Sequence, residues 1–482
     1  MSRIPTLRHP AVGGPVLHWV LTDPEKVSAA TVPTPDGASF LQLDHLAGVA
    51  AKRAAGEPHT GTAASITVFD EPLDRDAMAA ALTDFVRRHD ELRAVYAATP
   101  TGVVRSVAPA DAITLVTVDD GIELDGEDLV RHIVDRIEAQ ALPDRMPGVV
   151  FGAADGGDRF TFYLGMDHAH SDGFSQIAAL HEIAGRYRAH RAGSPPAPAS
   201  AASFTDHISA EKVLAAELRP DDPRVEDWRT ILATTGGVVP GFPLPLGLDD
   251  ARTPMPAHIL VRDLLDVDRL AGCDARSRPE VTFTGVIYAA LAAALHELTG
   301  ADRYFTATVL STRTAETLDT QGWLCNFAPV AFPIDPAAPF SALVAEASAA
   351  VRRARDLGTV PVHAVLGTLA AEGAYQPTAD SPQMVSYIDF RRTPGLDDPT
   401  VTQATMFTGI GRTRNANMWF SRFPDRLEVG AQLPDNDVAR QTLTTYLDVV
   451  SRLLSAYAAG EDPLVTTPLR RGVDTELTGL SR

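Results

Sequence analysis

Arg159-Phe160-Thr161-Phe162-Tyr163-Leu164-Gly165-Met166-Asp167-His168-Ala169-His170-Ser171-Asp172-Gly173 changes backbone character within one line. Its first half is rich in aromatic and β-branched residues and follows a Gly156-Gly157 turn, which predicts a strand ending near Met166. Its second half leads into a helix predicted from Phe174 to Arg188. A strand that passes through a short loop into a helix is the unit of an α/β fold. Loops at strand ends also hold side chains in open clefts on a rigid frame. His168 and Asp172 stand four residues apart in such a loop. The residues alone leave three readings open: a structural pair, a metal site, or a catalytic base.

Outward from this segment, strands and helices alternate in both halves of the chain. Ser65–Phe69 reads as a strand, Asp74 caps a helix running through Arg88, and Glu127–Gln140 reads as a further helix. In the second half a helix is predicted near Thr284–Leu298 and a strand near Tyr304–Leu310. Two strands, Ala416–Phe423 and Arg426–Leu433, turn at Pro424-Asp425, and a long helix runs from near Pro434 to before Gly460. Two Pro-rich stretches mark seams: 192–201, and 236–256 with Phe242-Pro-Leu-Pro-Leu-Gly247 inside it. The expected division is an N-terminal lobe over 1–190, a linker region over 191–256 and a C-terminal lobe over 257–482.

With 482 residues and 45% hydrophobic content, the chain is long enough for two or three cores. A net charge of −20 excludes nucleic acid or an anionic membrane as the main partner. The longest apolar runs are about half of what a bilayer requires, and no basic-then-apolar leader opens the sequence. Stable membrane insertion is therefore not expected, and a cytoplasmic enzyme is. Two cysteines, Cys273 and Cys325, supply neither a disulfide framework nor a thiolate metal cluster.

The metal reading takes His168, His170 and Asp172 as ligands, like the opening of a binuclear zinc hydrolase motif. That motif continues with a histidine where this chain has Gly173, and His181, His190 and His207 fall in helical or linker contexts. No metal is expected. The base reading gains from a resemblance. Asp167-His168-Ala169-His170-Ser171-Asp172-Gly173 resembles the His-His-x-x-x-Asp-Gly motif of the condensation-domain and CoA-dependent acyltransferase superfamily. Ser39-Phe-Leu-Gln42 resembles its Ser-x-Ala-Gln signature, and Arg88-His89-Asp-Glu-Leu92-Arg93-Ala-Val-Tyr96 its Arg-His-x-x-Leu-Arg-x-x-Phe signature. Gly322-Trp-Leu-Cys-Asn326-Phe resembles its Gly-x-Phe-Val-Asn-Thr signature, preceded by Ser311-Thr-Arg313-Thr. Coverage is nearly full length. Phe242–Gly247, Thr314–Trp323, Met384–Asp389, Asn417–Phe420 and Leu433–Asn436 look like segments of the mycobacterial polyketide-associated acyltransferases.

The resemblance implies two lobes like chloramphenicol acetyltransferase, forming a V with the active site at their interface. It implies transfer of an acyl group from a thioester, acyl-CoA or a phosphopantetheinyl carrier protein, to a hydroxyl acceptor, a sugar such as trehalose or another alcohol. His168 is the implied base. Asp172, by the same resemblance, pairs with an arginine, Arg93 or Arg313, and Gly173 permits a turn. His170, Asn326 and Ser386 are candidate substrate contacts, and Asp167 stands where the family carries its first histidine. The segment Asp389-Phe390-Arg391 is only a fragment of the family's Asp-Phe-Gly-Trp-Gly element and takes no catalytic role. An imidazole with a pKa near about 6.5 suits proton removal from an alcohol. No Gly-x-Ser-x-Gly elbow is present, so transfer without an acyl-enzyme and without a permanently bound cofactor is expected. Three rivals remain: an amide-forming stand-alone condensation enzyme, a zinc hydrolase, and a non-catalytic docking domain.

Overall fold

The computed structural model describes residues 5, 7–100, 102–194, 201–249, 253–378 and 381–465. Of the two Pro-rich seams, residues 195–200 and 250–252 lie outside the described residues. The fold is α/β, and the chain forms two compact units, neither of them continuous in sequence. The first comprises Met1–Glu217, Ser311–Asn326 and Arg392–Gly411; the second comprises Leu218–Leu310, Phe327–Arg391 and Arg412–Arg482.

This differs from a division into contiguous lobes around a linker at 191–256. That stretch contains two helices, Phe204–Glu217 and Pro223–Ala233, one in each unit. The first is anchored where it starts: the Asp90 carboxylate accepts hydrogen bonds from the backbone N–H groups of Phe204 and Thr205 and from the hydroxyls of Ser203 and Thr205. Phe204 and Ile208 are then buried against Leu324. Prolines ahead of the helix read as a seam, while its two inward apolar residues give only a weak period.

A six-stranded sheet organises the first unit. Its edge-to-edge order is Thr405–Thr408, Thr62–Phe69, Phe160–Asp167, Val149–Asp155, Gly14–Leu21 and Leu115–Leu124. The strands Thr62–Phe69 and Phe160–Asp167 pair antiparallel with Thr62 opposite Asp167 and Phe69 opposite Phe160. Every residue of both is buried, which accounts for their near-continuous run of apolar and β-branched side chains. Thr405–Thr408 adds the edge strand from far along the chain, and no local pattern announced it. The helix Gly126–Gln140 buries Leu129, Val130, Ile133, Val134 and Ile137, a helical stripe facing the sheet. At Gly165 a Cβ would lie 2.6 Å from Ile137, so a glycine lets this helix approach the strand that ends in Asp167.

A seven-stranded sheet organises the second unit, in the order Cys325–Pro333, Arg303–Ser311, Met384–Asp389, Asn417–Arg422, Arg426–Pro434, Met255–Asp266 and Arg412–Thr413. Met384–Asp389 runs parallel to both of its neighbours, whereas Asn417–Arg422 and Arg426–Pro434 form the antiparallel pair expected around Pro424-Asp425. Against this sheet lies the helix Phe283–Thr299, buried continuously from Gly285 to His296. That all-round burial is why the sequence shows an unbroken apolar run there and no stripe. Thr282 caps its start by accepting from Gly285 N–H, and Gly300, at φ 76°, ends it in the left-handed region. No helix among the described residues is long and apolar enough to cross a membrane.

Candidate active site

The strand Phe160–Asp167 ends in a single tight turn, His168–His170, before the helix Gly173–Arg191 begins. Three local bonds set that path. Asp167 accepts a hydrogen bond from Ala169 N–H at 2.8 Å, His168 N–H donates to the Gly61 carbonyl at 2.8 Å, and Asp172 caps the helix by accepting from Ser175 N–H at 2.7 Å. Gly173 is the first helical residue and has no left-handed backbone. The change of direction expected of Gly173 is made instead by the extended cap residue Asp172, at φ −123° and ψ 176°.

The Asp172 carboxylate is buried and paired within the protein. Arg313 Nη2 lies 3.0 Å from each of its carboxylate oxygens, and Leu324 N–H donates to it at 3.0 Å. Arg313 also donates to the Thr320 carbonyl at 2.6 Å and to Ser175 Oγ at 2.7 Å. Of the two candidate arginines, Arg313 is thus the partner. Arg93 is not: it sits at the end of the short turn Glu91–Arg93 and donates to the Ala108 carbonyl.

His170 is held inside the protein by a carboxylate. It is fully buried, and its Nδ1 lies 2.9 Å from Glu91 Oε1. Glu91 gathers a buried network: Tyr96 Oη donates to the same oxygen at 2.5 Å, Gln42 Nε2 at 3.1 Å, and Arg105 Nε and Nη2 donate to the other at 3.1 and 2.8 Å. Gln42 also donates to the Ala169 carbonyl at 2.8 Å, inside the His168–His170 turn. Ser39 caps the helix Phe40–Ala54 in a capping box with Gln42, which fixes that side chain. The early and middle signatures therefore converge on the loop that carries His168. Glu91 and Gln42 were present in the quoted motifs but had no role assigned; a buried carboxylate needs donors, and Tyr96 and Arg105 supply them from paired strands.

His168 itself is partly exposed. Its ring packs on Trp323, with centroids 4.2 Å apart at 45°. Its Nδ1 is buried without a hydrogen-bond partner. His18, His59, His132, His170 and His296 likewise have a buried nitrogen without a hydrogen bond and a carboxylate or carbonyl close to the ring, and for His168 the neighbouring group is its own backbone. For His168, burial, then the neighbouring His45, holds the imidazole below its ordinary value of 6.5. Its ring is therefore neutral near pH 7 and has a lone pair to accept a proton. Trp323, His45 and His59 were missed in the sequence. His45 was within reach of inference, one helical turn beyond Gln42 on the same face.

Asn326 is nearly buried in the strand Cys325–Pro333, and Ser386 lies in the second unit, its Oγ buried without a partner. Cys325 Sγ is 3.8 Å from Asp172, and burial pushes its thiol well up, as burial pushes Cys273 up to about 11. Neither thiol is poised as a thiolate. The three ligands of the zinc reading diverge, His170 toward Glu91 and Asp172 toward Arg313. Among the described residues no group of three His, Cys, Asp or Glu side chains could hold a metal ion.

This arrangement, a neutral imidazole on a braced loop with an inward carboxylate–arginine pair, sits within a sequence that matches known proteins over most of its length. The family model described as Condensation domain matches residues 55–380. The 2'-acyl-2-O-sulfo-trehalose (hydroxy)phthioceranyltransferase PapA1 of Mycobacterium tuberculosis is 30% identical over 437 residues, which are 88% of this chain and 82% of that protein. The trehalose-2-sulfate acyltransferase PapA2 of Mycobacterium bovis is 26% identical, over 80% of this chain and 81% of its own length. Among solved structures, one titled PapA2 acyl transferase superimposes with a TM-score of 0.84 at 23% identity, covering 94% of this chain and 98% of its own. With a family match over most of its residues and acyltransferase relatives along nearly its whole length, the chain belongs to the condensation-domain family and is an O-acyltransferase.

Proposed function

We propose that this enzyme moves an acyl group from a thioester, acyl-CoA or a phosphopantetheinyl carrier protein, directly to a hydroxyl of a sugar of the trehalose type. The observation that carries the reading is His168: a neutral imidazole, with Nδ1 unpartnered, on a loop whose other polar side chains are all committed to structure. His168 takes the hydroxyl proton as the alcohol oxygen attacks the thioester carbonyl carbon. The C–S bond then breaks, and the proton passes from His168 to the departing thiolate, leaving an ester and a free thiol. A positioned base of this kind contributes about 10²–10⁴-fold. No protein nucleophile intervenes, in keeping with the two raised thiols. No permanently bound cofactor takes part.

The acceptor rests on the relatives, whose names place PapA1 and PapA2 on sulfated trehalose. Purified protein incubated with acyl-CoAs of several lengths and a panel of sugars, trehalose and trehalose-2-sulfate among them, tests it by mass spectrometry of the products. The expected result is a sugar ester and free CoA in equal amounts. Amide formation from an added amine, to the exclusion of ester, would contradict the O-transfer reading. Activity lost on chelation and restored by zinc would contradict the metal-free mechanism.

A further inference from the structure

Asp167 stands where the family motif has its first histidine. Its carboxylate is fully buried. His45 Nε2 approaches its oxygens at 2.9 and 3.0 Å, and His59 Nε2 lies 3.0 Å from Oδ2. Ala169 N–H completes the shell at 2.8 Å. Burial alone would raise this carboxyl, but the imidazoles of His45 and His59 close to its oxygens hold it far below the usual carboxylate range. A buried carboxylate is tolerated only where donors meet it, and here two imidazoles do so. Gly61 makes room for both: a Cβ there would lie 2.6 Å from His45 Cε1 and 3.3 Å from His59 Cε1. Gly61 is also the residue whose carbonyl accepts from His168 N–H.

His45 does not end at Asp167. Its ring lies edge-on to Trp323, with centroids 5.9 Å apart, and 6.2 Å from the ring of His168. Asp167, His45, Trp323 and His168 thus form one contiguous wall. We propose that Asp167, held between His45 and His59, is a positioning residue for His168: it fixes the His45 imidazole in the wall that Trp323 and His168 share, and sets the charge environment in which His168 takes up its proton. This rests on the reading of His168 as the base.

The charged groups acting on His168 are His45 from the helix Phe40–Ala54, Asp167 from its own strand, and Asp172 from the cap of Gly173–Arg191, which is paired with Arg313, while His59, from the segment before Thr62–Phe69, contacts Asp167. Asp167 and Asp172 raise the His168 imidazole while His45 lowers it. Asp167→Asn and His45→Phe should therefore act in opposite directions. Asp167→Asn keeps the size and an acceptor for Ala169 N–H but removes the negative charge. His45→Phe keeps the ring against Trp323 but removes the titrating nitrogens.

The experiment is the pH dependence of kcat/KM for acyl transfer by the two variants, with His168→Ala as control. The acid limb is expected to move to lower pH in Asp167→Asn and to higher pH in His45→Phe, by roughly half a unit or more in each. If both variants keep the parental limb and lose only rate or melting temperature, the pair is merely structural and the proposal is overturned. Should Asp167→Asn fail to fold, an unmoved limb in His45→Phe overturns it alone. Full activity in His168→Ala would overturn the base assignment itself, which separates that failure from this one.

Discussion

His168 differs from its neighbours in what does not hold it: Asp172 is tied to Arg313, His170 to Glu91, and Asp167 to His45 and His59, while the His168 Nδ1 has no partner. The pairing of Asp172 with an arginine was legible through the family resemblance. The choice between Arg93 and Arg313 was not, because sequence spacing says nothing of which buried turn faces which strand end. Arg313 and Asp172 side chains are only 3% and 5% exposed, so removing one leaves the other charged and buried. Asp172→Asn is expected to lower unfolding stability by about 3–5 kcal/mol, read from urea denaturation. Pairing it with Arg313→Met should recover part of that loss, which a double-mutant cycle measures.

At the scale of elements, the loop is placed by a strand, a helix and a network beneath them. The helix after the motif, expected over Phe174–Arg188, spans Gly173–Arg191. Asp172 caps its start by accepting from Ser175 N–H, where the resemblance implies a turn at Gly173. The network was hidden, because Gln42, Glu91, Tyr96, Arg105 and His170 come from five separate elements. Gly148 shows how tightly it is packed: a Cβ there would lie 2.6 Å from His170 Nε2. Gly148→Ala is expected to push the His170 ring off Glu91, costing about 1–3 kcal/mol in thermal unfolding, with a fall in transfer rate because the turn shifts. An unchanged rate and melting temperature would show that the ring does not brace the turn.

At the scale of the molecule, the alternation of strands and helices was enough to read an α/β fold, and the noncontiguous units were not readable. Thr405–Thr408 reaches the first sheet through one short antiparallel edge, and Ser311–Asn326 through Arg313 and Leu324, contacts that carry no local period. The same unit concentrates charge on Glu182, which accepts from His89 at 3.0 Å, Arg88 at 2.6 Å and Arg186 at 2.7 Å. Burial works against that carboxylate, but His89 and the two arginines bring it from 4.5 down to about 2. Its folded-state value is depressed, so its stabilisation is complete above pH 4.5 and lost as the pH falls from there toward about 2. Chemical denaturation across that window should show a loss of about 3 kcal/mol that Glu182→Gln lacks.

The most direct measurement is acyl transfer from acyl-CoA to trehalose by His168→Ala, alongside its melting curve. The variant is expected to fold and melt as the parent does and to lose about 10²–10⁴-fold in kcat/KM. A folded His168→Ala enzyme turning over at the parental rate would contradict the assignment of His168 as the base.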